Sequence, residues 1–114
     1  SHAANASLRE EIMSMKDLMT LAAAEYEGGV EAGKVTLAME YRDSWGFFET
    51  ARRRAVIMSK APDEARAQAG KDVLERLEGL DDLYPALTSD TASTDQPALA
   101  AAAGWVEIIA LRQD

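Results

Sequence analysis

The chain has no cysteine and a single histidine, and each shortage removes a class of function. Without cysteine it can form no disulfide, thiolate zinc site or iron–sulfur cluster. The histidine, His2, follows Ser1 in a pair typical of a purification-tag remnant, so we exclude it from every candidate site. With His2 excluded, no histidine or cysteine remains to act as base or nucleophile. No G-x-S-x-G motif or phosphate-binding loop is present either. The sequence therefore predicts a protein that is not an enzyme.

Long apolar runs and strand-like alternation are missing as well. No stretch of about 18 apolar residues is long enough to cross a membrane. Aromatic residues make up only 6% of the chain, and β-branched residues are sparse, which argues against a sheet. Basic residues are outnumbered, 12 against 20 acidic ones, so the net charge is −8. This field repels phosphate backbones and attracts cations, so we expect no nucleic-acid partner.

Helical periodicity in an alanine-rich sequence is what remains. Ser7 and Glu10 match a capping box, and apolar residues then recur at spacings of three and four. The same spacing recurs in three later segments, separated by Gly28-Gly29, by Pro62 and by a polar loop. The four predicted helices begin near Ser7, Thr36, Pro62 and Asp95. We predict one all-α domain, an antiparallel four-helix bundle at residues 7–112, after a tag remnant and flexible N-terminus at residues 1–6.

Carboxylates cluster around the double glycine between the first two helices. Glu40 and Asp43 are three residues apart, so they share a helix face. Glu25 lies just before the bend and would approach them if the chain reverses there. Glu27 and Glu31 are weaker candidates on or beside the same link. Oxygen ligands of this kind suit iron, manganese, calcium or magnesium better than copper. The alternative from spacing alone is that all five are ordinary surface acids.

Methionine and tyrosine side chains supply a second, weaker set of candidates. Met15 and Met19 carry thioethers, which select Cu(I), but both lie on the predicted core stripe, where methionine commonly fills gaps. Tyr26 and Tyr41 could support metal-binding carboxylates through their hydroxyls. They could equally be buried rings with a hydrogen-bonded hydroxyl. For all four residues, packing is the reading that the pattern favours.

The order and spacing of residues around the bend resemble a known family. Glu25-Tyr26, Val30, Gly33 and Val35 are followed by Glu40-Tyr41, Asp43 and Phe47. This arrangement is similar to the extracytoplasmic N-terminal region of bacterial high-affinity iron permeases of the oxidase-dependent type. The resemblance covers roughly residues 18 to 60. The chain departs from the family pattern at Glu27, Gly29 and Gly46, and it lacks the Arg-Glu-x-x-Glu motif of the family's membrane helices.

The resemblance implies a periplasmic domain attached to an iron permease. Such a domain would receive iron, with manganese or copper as alternatives, or dock a periplasmic metal-binding or oxidase protein that delivers it. It implies Glu25, Glu40 and Asp43 as ligands with Tyr41 as support, and the membrane portion of the same polypeptide as a partner. Ala4-Asn5-Ala6 has the small-x-small form of a signal-peptidase site, which fits that compartment. The alternatives are a metal-free helical interaction module or an unrelated helical adaptor. A bundle this small could also dimerise to complete its core.

Overall fold

The computed structural model describes residues 2–113, and the side chains of residues 7–113. It confirms the predicted all-α, four-helix architecture and adds a two-stranded sheet. Within the described residues no helix is both long enough and apolar enough to span a membrane. The elements are α1 (His2–Gly29), β1 (Val30–Glu31), β2 (Lys34–Val35), α2 (Ala38–Ser59), α3 (Glu64–Leu77), a 3₁₀ turn (Leu80–Leu83) and α4 (Pro97–Leu111).

The helices pack antiparallel, with α1 and α2 at the centre of the arrangement. Arg54, late in α2, donates to the hydroxyl of Ser14, early in α1, at 3.0 Å. Arg9, early in α1, donates through Nε to the carbonyl of Gln113, just beyond α4, at 3.1 Å. Both contacts join the end of one helix to the start of another. The bundle therefore has α4 and α2 on the two flanks of α1, and α3 packs against α2 and, less extensively, against α4.

The core runs the length of the bundle and combines small and large side chains. Buried alanines on each helix allow close helix packing, while aromatic rings concentrate toward the end where α1 meets α2. The largest fully buried side chains are Tyr26, Tyr41, Phe48, Ile12, Met15, Met19, Leu99, Val73, Val106 and Ser44. The predicted stripes on α1 and α2 are thus confirmed in their central positions.

The predicted start of α1 is wrong. The helix extends back to His2 instead of beginning at Ser7, so the capping box predicted there does not cap it. Alanine occupies positions 3, 4 and 6, and alanine is the best helix former, which allows the helix to continue. The tag interpretation remains a prediction, because Ser1 and the side chains of residues 2–6 lie outside the described residues.

The predicted start of α2 also needs correction. Thr36 does not cap α2: its hydroxyl donates to the Gly29 carbonyl at 3.3 Å, and Leu37 holds the N-cap position without a side-chain bond. α3 ends at Leu77. Gly79 adopts a left-handed φ of +82°, which turns the chain away from the helix axis.

The link between α1 and α2 is a β-hairpin, where the sequence suggested only a short connection. Val30 pairs with Val35, and Glu31 pairs with Lys34, around a two-residue turn. Both turn residues have positive φ, 51° at Ala32 and 78° at Gly33, as a type I′ hairpin turn requires. The loop before α4 adds to this sheet, since Val35 donates to the Asp90 carbonyl and Ala92 donates to that of Gly33. Hairpin and loop together close one end of the bundle.

Candidate functional site: an acidic groove beside the hairpin

The candidate site lies where the end of α1 touches the start of α2. A Cβ built on Gly29 would lie 2.6 Å from the Tyr41 backbone nitrogen, so only glycine permits this contact. One residue earlier, a Cβ on Gly28 would lie 2.2 Å from Oε2 of Glu40. The double glycine therefore lets α2 start directly against α1 and lets the Glu40 carboxylate lie over the α1 backbone.

The antiparallel pairing of α1 and α2 decides which carboxylates meet. Ser14 contacts Arg54, and Gly28 contacts Glu40, so each step along α1 corresponds to one step back along α2. Glu25 is three residues before Gly28, and Asp43 is three residues after Glu40. Glu25 and Asp43 therefore lie at the same level of the helix pair. We call the part of the α1–α2 pair at the levels of Glu25, Glu40 and Asp43 the acidic groove.

The acidic groove is open and incompletely assembled as an ion site. Glu25 and Glu40 are half-buried, whereas Asp43 is exposed. Within the described residues, no group of three or more Asp, Glu or His side chains is arranged to hold a metal ion. The predicted ligands thus lie at neighbouring levels of the α1–α2 pair, but the described side chains do not form a preassembled coordination shell.

The two tyrosines next to these carboxylates are buried rings with hydrogen-bonded hydroxyls, which is the role that the sequence pattern favoured. The Tyr26 hydroxyl donates to the Leu83 carbonyl at 2.8 Å and accepts from the Ser93 N–H at 2.9 Å. The Tyr41 hydroxyl donates to the Ala86 carbonyl at 3.2 Å. Burial raises the pKa of both phenols, so neither ionises near neutral pH. These side chains attach the loop before α4 to the bundle and make no hydrogen bond to a carboxylate within the described part of the chain.

Ser44 and Tyr84 complete this aromatic cluster, and neither was a predicted site residue. The Tyr84 ring lies 5.4 Å from Tyr26 and 5.7 Å from Tyr41 and Phe48, centroid to centroid. Its hydroxyl is 2.7 Å from the Ser44 hydroxyl, which in turn donates to the Ala22 carbonyl at 2.6 Å. The available signal was Ser44 itself, a polar residue on the apolar stripe of α2. The cluster fills the core between α1, α2 and the loop before α4.

The weaker candidates fall outside the groove. Glu27 is exposed near the end of α1, and Glu31 is exposed on the hairpin opposite Lys34. Met15 and Met19 are 2% and 0% exposed, so their thioethers pack in the core, as the apolar stripe favoured. Copper binding through these two sulfurs would need the bundle to open.

Comparison with known proteins identifies the family. A family model described as the iron permease-associated 4-helix bundle domain matches residues 1–108. Searches of curated proteins and of solved structures found no match. The matching family consists of domains associated with a transporter and is not a family of enzymes. Since the match covers nearly the whole chain, and its described fold is the one observed, the chain belongs to the iron permease-associated four-helix bundle domain family.

Proposed function

We propose that this domain receives iron at the acidic groove, on the periplasmic side of the membrane, for transfer to a permease. The observation that supports the proposal is the register of α1 against α2, which brings Glu25 and Asp43 to the same level, next to Glu40, in a member of this family. Iron is cargo here and not a resident cofactor. The membrane portion of a permease, in the same polypeptide, would then transport the iron across the membrane.

The ligand chemistry of the acidic groove suits transient binding of iron better than long-term storage. Carboxylate oxygens are hard ligands that suit iron or manganese, and a net charge of −8 raises the local concentration of cations. Because the described carboxylates do not form a three-ligand group, a bound ion keeps water or takes ligands from a delivering protein. Such coordination exchanges readily. A periplasmic metal-binding or oxidase protein is the delivery partner that this arrangement suits.

A calorimetric titration of Mn²⁺, or of Fe²⁺ without oxygen, into single variants tests the site. Glu40→Gln and Asp43→Asn each remove one charged ligand and should weaken binding by about tenfold or more. Gly28→Ala should also weaken it without changing any charge, since the new methyl group occupies the place of Oε2 of Glu40. Glu10→Gln, an equivalent change at an exposed position near the other end of α1, is the control. Equal affinity in all four variants and the unmodified chain would remove the groove from consideration.

Docking of a protein partner without metal is the second candidate. Leu37 and Met39, beside the groove at the start of α2, are 52% and 76% exposed. Apolar side chains next to acidic ones suit a partner with a basic rim around an apolar patch. This alternative predicts no metal uptake in the titration. It also predicts that charge reversal at Glu27 and Glu31 slows association with the partner.

A further inference from the structure

A cleft of about 470 Å³ opens toward the end of the bundle opposite the hairpin, between the first half of α1, the end of α2 and the start of α3. Its apolar lining consists of Met15, Ile57, Met58 and Ala61. Met15 and Met58 are almost fully buried, whereas Ile57 is 73% exposed. Pockets for small molecules have volumes of roughly 300–1,000 Å³ and a mainly apolar lining with a few polar groups. The cleft therefore matches a ligand site in both size and lining.

Three charged side chains line the same cleft, and one of them has no oppositely charged partner among the described residues. Arg66, on α3, forms an ion pair with Glu11, on α1. Arg54 donates to the neutral hydroxyl of Ser14 at 3.0 Å, and no carboxylate in the described part of the chain forms an ion pair with it. Two arginines against one glutamate leave one positive charge in the cleft, although the chain as a whole has a net charge of −8.

This excess charge indicates the head group that the cleft accepts. A guanidinium has five N–H donors in a planar fork and binds a carboxylate through two parallel hydrogen bonds. The contact with Ser14 occupies one donor of Arg54, which leaves others for a bound anion. Because Glu11 already neutralises Arg66, the cleft suits a ligand with a single negative charge and opposes a metal cation.

We propose that this cleft binds an amphipathic monocarboxylate, with its head group on Arg54 and its hydrocarbon chain against Met15, Ile57 and Met58. Methionine side chains are flexible and polarizable, so they adapt to chains of different shape. The cleft is distinct from the acidic groove, since Ser14 and Glu25 are about 16 Å apart along the axis of α1 at 1.5 Å per residue. Binding here does not depend on iron at the acidic groove.

Octanoate and 1-octanol test the proposal, because they share a hydrocarbon chain and differ in the charge of the head group. In two-dimensional amide NMR spectra of the 114-residue chain, octanoate should shift the signals of Ser14, Ile57 and Ala61 with a saturable dose dependence. 1-Octanol should bind about fivefold more weakly or less, and acetate, which lacks the chain, should give no saturable shift. Equal affinity for octanoate and 1-octanol overturns the proposal, and so do octanoate shifts confined to other surfaces, such as the exposed side of α4 around Ile108.

Two pairs of variants test the head group and the chain separately. Arg54→Gln should weaken octanoate binding about fivefold or more and leave 1-octanol binding unchanged. Arg53→Gln is the matched control, because it makes the same change at an exposed neighbour outside the cleft. Ile57→Ser should weaken both ligands, whereas Leu111→Ser, at a position that is 60% exposed on α4, should weaken neither. Far-UV circular dichroism checks that every variant keeps its helices. Equal octanoate losses in the two arginine variants, or in the two serine variants, would overturn the assignment.

Discussion

The buried hydroxyl pair of Ser44 and Tyr84 provides the sharpest test of how the hairpin end is held together. Ser44 is 0% exposed and Tyr84 is 7% exposed, and among the described residues the only proton donor within reach of Ser44 Oγ, at 2.7 Å, is the phenol. The Ser44 hydroxyl donates its own proton to the Ala22 carbonyl. Among the described residues, no buried side-chain nitrogen or oxygen lacks a hydrogen-bond partner. Removing either hydroxyl therefore has a calculable consequence.

The two single substitutions should differ in cost. Tyr84→Phe removes one hydrogen bond and leaves Ser44 bonded to Ala22, so we expect a loss of about 1 kcal/mol in the free energy of unfolding. Ser44→Ala removes the bond to Ala22 and also leaves the phenol buried without a partner. Adding about 2 kcal/mol for that orphaned group to about 1 kcal/mol for the lost bond gives about 3 kcal/mol.

The double variant distinguishes this network from ordinary packing. With both hydroxyls gone no polar group is orphaned, so we expect a total loss of about 2 kcal/mol, against about 4 kcal/mol for the sum of the singles. Urea denaturation followed by circular dichroism measures all four proteins, with the slope m checked for constancy. Additive losses, or a Tyr84→Phe cost equal to that of Ser44→Ala, would refute the assigned hydrogen bonds.

Three further outcomes follow from the structure. Ala32→Asn should stabilise the fold by about 0.5–1 kcal/mol in urea denaturation, because asparagine tolerates the φ of 51° that alanine resists; a loss would contradict the turn assignment. Gly70→Ala should cost about 2–3 kcal/mol, since its Cβ would lie 2.3 Å from the Ser59 nitrogen, whereas Gly46→Ala, with nothing within 4 Å in the interior of α2, should stabilise the fold by about 0.5–1 kcal/mol. Glu49→Gln should cost about 0.5 kcal/mol at pH 7 but nothing near pH 2. The Arg52 hydrogen bonds lower the pKa of Glu49, so that stabilisation exists above the usual glutamate pKa and disappears as pH falls through the lowered value; a difference independent of pH would contradict it.

Much of the fold could be predicted from the sequence because helix formation is local. The stripes on α1 and α2 that include Ile12, Met19, Tyr41 and Phe48 are buried as their three- and four-residue spacing indicates. Helix ends were less predictable. The capping box at Ser7 is a local signal that the preceding alanines override, and the end of α3 depends on the backbone conformation of Gly79.

The candidate site was likewise predictable from the sequence only in part. Glu25, Glu40 and Asp43 were candidates from spacing and resemblance, and the metal assignment remains a proposal. That Glu25 and Asp43 lie at the same level of the helix pair depends on the register of α1 against α2, which the contact at Gly28 and Gly29 sets. No periodicity along the chain contains that register.

By itself the sequence determined the helical class, the acidic surface and the residues able to offer oxygen ligands, because composition and helical spacing act over a few neighbouring residues. Only the tertiary structure decided that the tyrosine hydroxyls hold a loop and leave the carboxylates unsupported. It also decided that the apolar side chains of Ile108 and Leu111 on α4 remain exposed to solvent. Both depend on contacts between residues far apart in the chain, and such contacts form only when the helices pack.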